Sequence, residues 1–152
     1  MKKIIIGSDK SGYSLKEAIK AHLLESGYEV NDCGTQDPEN AHPYYEVAPL
    51  VAEAVQKGEY QRGVLICGTG MGMAVVANKY QGVYAAENCR AINDANILTM
   101  GGWLIGSELG ISMVDKFLNT EFTENLEPWR QKFLRGAEEQ VKKIEQSIYD
   151  KE

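Results

Sequence analysis

At 152 residues, with 43% apolar and 25% charged residues, the chain has the size and make-up of one folded domain, residues 1–152, with a real core. A net charge of −6 argues against general binding to nucleic acid or to an acidic membrane surface, and the longest apolar stretch, Ile97 to Gly106, is too short to cross a bilayer. Lys2 and Lys3 lead straight into an apolar strand, so no signal peptide is expected. Cys33, Cys67 and Cys89 form neither an even framework nor a CxxC pair, which favours reduced thiols and a cytoplasmic location.

In chain order, Lys3 to Gly7 reads as a buried strand. Leu15, Ala18, Ile19, His22 and Leu23 then recur at helical spacing, and Gly27 ends that helix. Tyr28 to Asp32 is a second strand, followed by a polar loop to Pro43 and a helix to Lys57 that Gly58 closes. Gly63 to Cys67 is the third strand; a glycine loop and a helix to Lys79 follow. Val83 to Ala86 and Ile97 to Met100 are short strands, Gly106 to Leu118 is a helix, and Pro128 to about Tyr149 is the last one. Repeated β-α units predict an α/β fold: a doubly wound, Rossmann-like, five-stranded parallel sheet with helices on both faces. In the last helix Leu134, Ala137, Val141, Ile144 and Ile148 form a narrow apolar seam. A seam of this kind either lies on the sheet or packs at a subunit interface, and the interface is favoured here.

Chemistry concentrates between Val64 and Met73. A β-branched run stops at Cys67, and Gly68, Gly70 and Gly72 alternate after it. Strand, glycine loop and helix present backbone N–H groups to an anion at a helix N-terminus. No Gly-Lys-Ser/Thr closes the loop, so it is not a Walker motif. Local chemistry leaves two readings: an anion-binding loop with a reactive thiol, or a tight turn over a buried one. Asp9, just past the first strand, reads either as a turn or capping residue or as part of the same cleft. Asp9, the Cys67 loop and the Asn93-Asp94-Ala95-Asn96 stretch are expected to converge on one edge of the sheet. No His, Cys or Asp cluster has metal-ligand spacing.

Six segments together resemble the family of ribose-5-phosphate isomerase B and the galactose-6-phosphate isomerase subunits. They are Ile6 to Asp9, Cys33 to Thr35, Ile66 to Gly72, Ala77 to Lys79, Asn93 to Asn96 and Met100 to Gly106. The resemblance implies aldose–ketose isomerisation of a phosphorylated sugar through a cis-enediolate, with no metal or organic cofactor. Cys67 would be the base, its sulfur facing loop amides and a helix N-terminus. In some relatives a Glu does this work, but its matching position here is Met73. The loop from Gly68 through Gly70, Met71, Gly72 and Met73 would bind substrate, its last four amides forming the anion hole for the enediolate oxygen. Thr69 would relay the hydroxyl proton, Asp9 would hold a substrate hydroxyl and Asn93 would bond the reacting oxygens. Lys10 and Ser11 would contact the phosphate end, with Arg130 and Arg135 reaching in from a partner chain. A homodimer or dimer of dimers is implied, its cleft completed by the neighbouring chain.

Departures from the family pattern bear on the substrate. Ile92 stands where pentose-using relatives carry a ring-opening His, Lys10 where a His commonly follows the first Asp, and Trp103 where an Arg helps hold phosphate. The segment from Glu87 to Ala91 is shorter than in relatives, and Arg130 and Arg135 sit one residue further apart than an i, i+4 pair. A four-carbon sugar 4-phosphate cannot close a furanose ring, so it needs no ring-opening acid. The favoured substrate pair is therefore erythrose 4-phosphate and erythrulose 4-phosphate. The alternative is a ribose 5-phosphate or galactose 6-phosphate isomerase in which His42 opens the ring, or a subunit of the latter enzyme that needs a partner. A non-enzymatic sugar-phosphate sensor is a further class, with no DNA-binding motif to support it. Outside the site, Cys33 and Cys89 read as structural, His22 as a packed core residue, Arg90 as a solvated surface side chain, and Met71 and Met73 as loop packing.

Overall fold

The computed structural model describes residues 2–86 and 90–150. Cys89 and most of the segment from 87 to 91 therefore lie outside the described residues. Strand β1 (Lys2–Ser8) enters helix α1 (Tyr13–Glu25), and β2 (Tyr28–Asp32) follows. The polar loop after it contains a 3-10 turn, Pro38–Asn40, before α2 (Tyr44–Gln56). Then come β3 (Gly63–Cys67), α3 (Met71–Ala77), β4 (Ala85–Ala86), α4 (Arg90–Asn93), β5 (Ile97–Gly101), α5 (Ser107–Leu118) and α6 (Pro128–Tyr149). Gly27 and Gly58 follow α1 and α2 with φ of +81° and +73°, the left-handed stop that glycine supplies at least cost.

The five strands are all parallel, in the order β2-β1-β3-β5-β4. Side chains alternate across the sheet. Ile4, Ile6, Val64, Ile66, Leu98 and Met100 face α1 and α5, packing on Leu15, Ile19, Leu23, Val114 and Phe117. Ile5, Leu65, Cys67 and Ile97 face α2 and α3, packing on Val47, Val51, Met73 and Ala77. Three elements differ from the sequence expectation. The glycine-loop helix ends at Ala77 rather than Lys79, the fourth strand is only two residues long, and Arg90–Asn93 forms a short helix.

Two isolated residues behave differently from their sequence readings. His22 is half-buried between α1 and α5, where Nε2 lies 2.8 Å from Asp115 Oδ1, rather than packed in the core. Arg90 is buried rather than solvated: it donates to Thr120 O, Ala95 O and the Asp94 carboxylate. Both side chains are satisfied by partners that composition and spacing do not reveal.

Helix α6 has no fully buried residue. Glu145 accepts the Gly82 N–H at 2.7 Å and the Tyr84 hydroxyl at 3.2 Å, and the Tyr149 hydroxyl donates to Lys79 O at 2.7 Å. Of the apolar seam, Val141, Ile144 and Ile148 stay exposed, while Leu134 and Ala137 are half-buried along a cavity shared with Asn78 and Tyr84, so most of the seam is left open. Among the described residues no helix is long and apolar enough to cross a membrane.

Candidate active site at the sheet switch point

From β1 the chain runs out to β2 on one side, then returns to place β3 on the other side of β1. An open parallel sheet forms its ligand crevice outside the carboxyl ends of the strands at such a reversal. There β1 delivers Asp9, Lys10 and Ser11, and β3 delivers Cys67 and the glycine loop. The two loops are tied together, because Asp9 N–H donates to Ile66 O at 3.2 Å. A Cβ on Gly12 would lie 2.5 Å from Ile66 O, so only glycine permits this approach. Asp9 Oδ1 accepts the Gly12 N–H at 3.1 Å. Burial pushes the Asp9 pKa up, and the Gly12 and Ser11 amides partly oppose it. Lys10 projects into solvent.

Strand parity turns Cys67 toward α2 and α3, with 5% of its surface exposed. The chain then doubles back through Gly70, whose φ of +84° is left-handed and suits glycine. That turn brings the Gly70 N–H to 3.2 Å from Cys67 Sγ, where it donates to the sulfur. Thr69 is half-buried, and its Oγ1 accepts the Met71 N–H at 3.4 Å. Two of the four amides expected in the anion hole are thus engaged within the loop. Gly72 and Met73 follow in the first turn of α3, where amides lack intrahelical acceptors. Met73 packs in the core, whereas Met71 is exposed.

Three predicted site residues do not reach this crevice within the chain. Asn93 was expected at the same edge, but it precedes β5 and so enters at the amino end of the strand. Ile97 there is level with Gly63, while Cys67 is level with Gly101 at the far end. Asn93 instead lines a cavity of about 520 Å³ beside Ile92, Phe122, Leu134 and Val141. Arg130 is exposed on α6, and Arg135, on the same helix, donates to Thr123 Oγ1 at 2.9 Å and lies over the Phe122 ring. His42 does sit on a carboxyl-edge loop, its N–H donating to Thr35 Oγ1. Its ring is 64% exposed, with Nδ1 3.4 Å from the Glu46 carboxylate. Sequence reading missed Tyr44, whose ring lies so close to Gly72 that a Cβ there would sit 3.0 Å from it. The only signal was an aromatic residue opening the helix after His42-Pro43.

Cys33 is half-buried against the α2–α3 side of the core. Its thiol donates to Ile6 O at 3.5 Å, and burial, with the Asp32 charge adding to it, pushes its pKa up to about 11. A raised value keeps the sulfur protonated at pH 8. Native protein treated with iodoacetamide at that pH is therefore expected to yield an unmodified Cys33 peptide by mass spectrometry. Labelling of Cys33 as fast as a free thiol would contradict this environment.

The model of the Ribose/Galactose Isomerase family matches residues 4–132. The chain belongs to this family. A 4-deoxy-4-sulfo-D-erythrose isomerase from Clostridium sp. (strain MSTE9) is 60% identical, covering 98% of this chain and 99% of that protein. A D-erythrulose-4-phosphate isomerase from Pectobacterium atrosepticum is 37% identical, over 80% of this chain and 86% of the relative. The solved structure of ribose-5-phosphate isomerase B from Clostridium thermocellum superposes with a TM-score of 0.84 at 38% identity, covering 96% of this chain and 99% of that one. As a member of the Ribose/Galactose Isomerase family, the protein is an aldose–ketose isomerase of sugars.

Proposed function

We propose that this isomerase acts on a four-carbon sugar whose C4 carries a terminal anion, a sulfonate or a phosphate. One observation carries the chemistry: the Cys67 sulfur stands at the switch-point crevice with the Gly70 amide aimed at it. That hydrogen bond fixes the sulfur at the carboxyl end of β3, which positions Cys67 as the base. The thiolate removes the C2 proton of the aldose, and the electron pair passes into the C1–C2 bond to give the cis-enediolate. Returning the proton to C1 leaves a ketone at C2. The Gly72 and Met73 amides would stabilise the enediolate oxygen. Thr69 would carry the hydroxyl proton between O1 and O2, while Asp9 holds a hydroxyl further along the chain. Lys10 and Ser11 would meet the terminal anion. No cofactor is needed for these steps.

The substrate's length is supported by His42, which is held by Glu46, and by Ile92, which carries no proton. A sugar with C4 esterified or bonded to sulfur has no C4 hydroxyl to close a furanose ring. The 60% identical relative, named for a 4-sulfonate, extends the terminal group beyond the phosphate expected from sequence. Arg130, Arg135 and Asn93 would enter the crevice from a second copy, in a homodimer or dimer of dimers, and the open apolar seam of α6 supports such an assembly. A cytoplasmic location fits a small sugar-acid substrate.

Proton NMR in D₂O tests this. The protein is incubated separately with 4-deoxy-4-sulfo-D-erythrulose, erythrulose 4-phosphate, ribose 5-phosphate and galactose 6-phosphate. The expected result is aldose formation, with exchange of the hydrogen alpha to the carbonyl, from one or both four-carbon ketoses. Turnover of a ring-forming sugar alone would sink the four-carbon substrate and make His42 the first residue to mutate. Silence on all four would point to a partner-dependent subunit.

A further inference from the structure

Trp103 stands beside the loop that carries the proposed base, just past the end of β5. At the end of β5, the Gly101-Gly102-Trp103 segment is wedged between the two loops that form the crevice. A Cβ on Gly101 would lie 2.9 Å from the Thr69 backbone, and one on Gly102 would lie 2.5 Å from Ser11 O. The turn is pinned there by Gly102 N–H donating to Cys67 O at 2.7 Å and Trp103 N–H donating to Gly68 O at 3.0 Å. The six-membered edge of the indole rests on Gly68: a Cβ there would meet Cε3, Cζ3 and Cδ2 at 2.6, 2.7 and 2.8 Å.

Nevertheless, 71% of Trp103 is exposed, and the residue belongs to neither core cluster. An aromatic ring fixed against the residue next to the base, and otherwise uncovered, acts as a wall of the crevice rather than as packing. Charge points the same way. Among the described carboxyl-edge loops, Lys10 is the only lysine or arginine, so any further cation, Arg130 and Arg135 included, has to come from the second copy proposed above. A sulfonate carries one negative charge, whereas a phosphate monoester carries about 1.5 to 2 near neutral pH. An indole brings no compensating charge and excludes water.

We infer that Trp103 determines which sugar acid the site accepts, its indole covering the C–H face of a four-carbon chain and favouring a singly charged sulfonate at the end. This rests on the four-carbon substrate proposed above. A fifth carbon or a dianionic phosphate would have to share the volume that the ring occupies.

The test compares kcat/KM for 4-deoxy-4-sulfo-D-erythrulose, D-erythrulose 4-phosphate and D-ribulose 5-phosphate. None of the three can close a furanose ring, so ring opening does not enter. Trp103→Ala is expected to shift the ratio of four-carbon sulfonate to five-carbon phosphate at least tenfold toward the longer substrate. Trp103→Arg is expected to shift the sulfonate-to-phosphate ratio of the four-carbon pair at least tenfold toward phosphate, and Trp103→Phe to hold both ratios within about threefold of wild type. Each ratio is taken on one preparation, so a reduced folded fraction cancels. Ratios unchanged in the alanine and arginine variants, whatever the absolute rates, would overturn the inference and leave the four-carbon substrate standing. Wild-type protein that turns over neither four-carbon ketose would overturn both.

Discussion

Replacing Cys67 with alanine is expected to lower kcat by about 10²- to 10⁴-fold, the span that a positioned base contributes. KM should change little, because the sulfur acts on a C–H bond and does not anchor the charged end of the substrate. Cys67→Ser is the sharper variant. It keeps the size of the side chain and the Gly70 donor, but a serine hydroxyl at neutral pH is a far weaker proton acceptor than a thiolate. Both variants should lose solvent exchange of the hydrogen alpha to the carbonyl in parallel with turnover, since one enediolate serves both. The measurement is the D₂O exchange rate beside the melting temperature of each variant. Removing one buried sulfur costs on the order of 1 kcal/mol, so the fold should persist. Residual exchange within tenfold of wild type would remove Cys67 from the role of base.

Much of the crevice was legible because it obeys a local rule. Asp9, Lys10, Ser11 and the Cys67 loop each follow a strand directly, so recognising the strands places them all at carboxyl ends. The same rule, applied with chain direction, keeps Asn93 out of its own chain's crevice: a residue that precedes a strand enters at its amino end. What remained hidden depends on partners remote in sequence. Nothing in the spacing pairs His22 with Asp115, ninety-three positions away, or gives buried Arg90 the Thr120 carbonyl. The ring of Tyr44 against Gly72 depends on how α2 docks on α3, a packing event with no sequence motif. The seam of α6 was visible as a pattern, yet only the fold reveals that the sheet leaves it open.

The largest stability effect is expected at Lys16. Its ammonium is fully buried, 2.5 Å from Asp32 Oδ2, 2.7 Å from Thr35 O and 2.8 Å from Glu17. Lys20 reaches the same Asp32 oxygen at 2.8 Å, and Asp32 Oδ1 accepts the Gly34 N–H. The cluster ties α1 to the end of β2 and to the turn whose Thr35 N–H donates to Ser8 O, one residue before Asp9. Asp32→Asn leaves the ammonium buried with its main counter-charge gone, and such a loss costs about 3–5 kcal/mol. Replacing both partners with apolar residues, as in Lys16→Met with Asp32→Leu, should cost less than the sum of the single changes, because no charge is stranded. Burial alone would raise the Asp32 pKa, but the hydrogen bonds from Lys16 and Lys20 more than offset it and hold the carboxyl below its ordinary range. A depressed carboxyl contributes stability that is complete above the unfolded-state value, about 3.9, and is lost as pH falls through the folded one. The gap in urea midpoint between wild type and Asp32→Asn should therefore be widest near pH 7 and should narrow below pH ~4. A gap of constant size across that range would mean that the buried pair does not carry the effect.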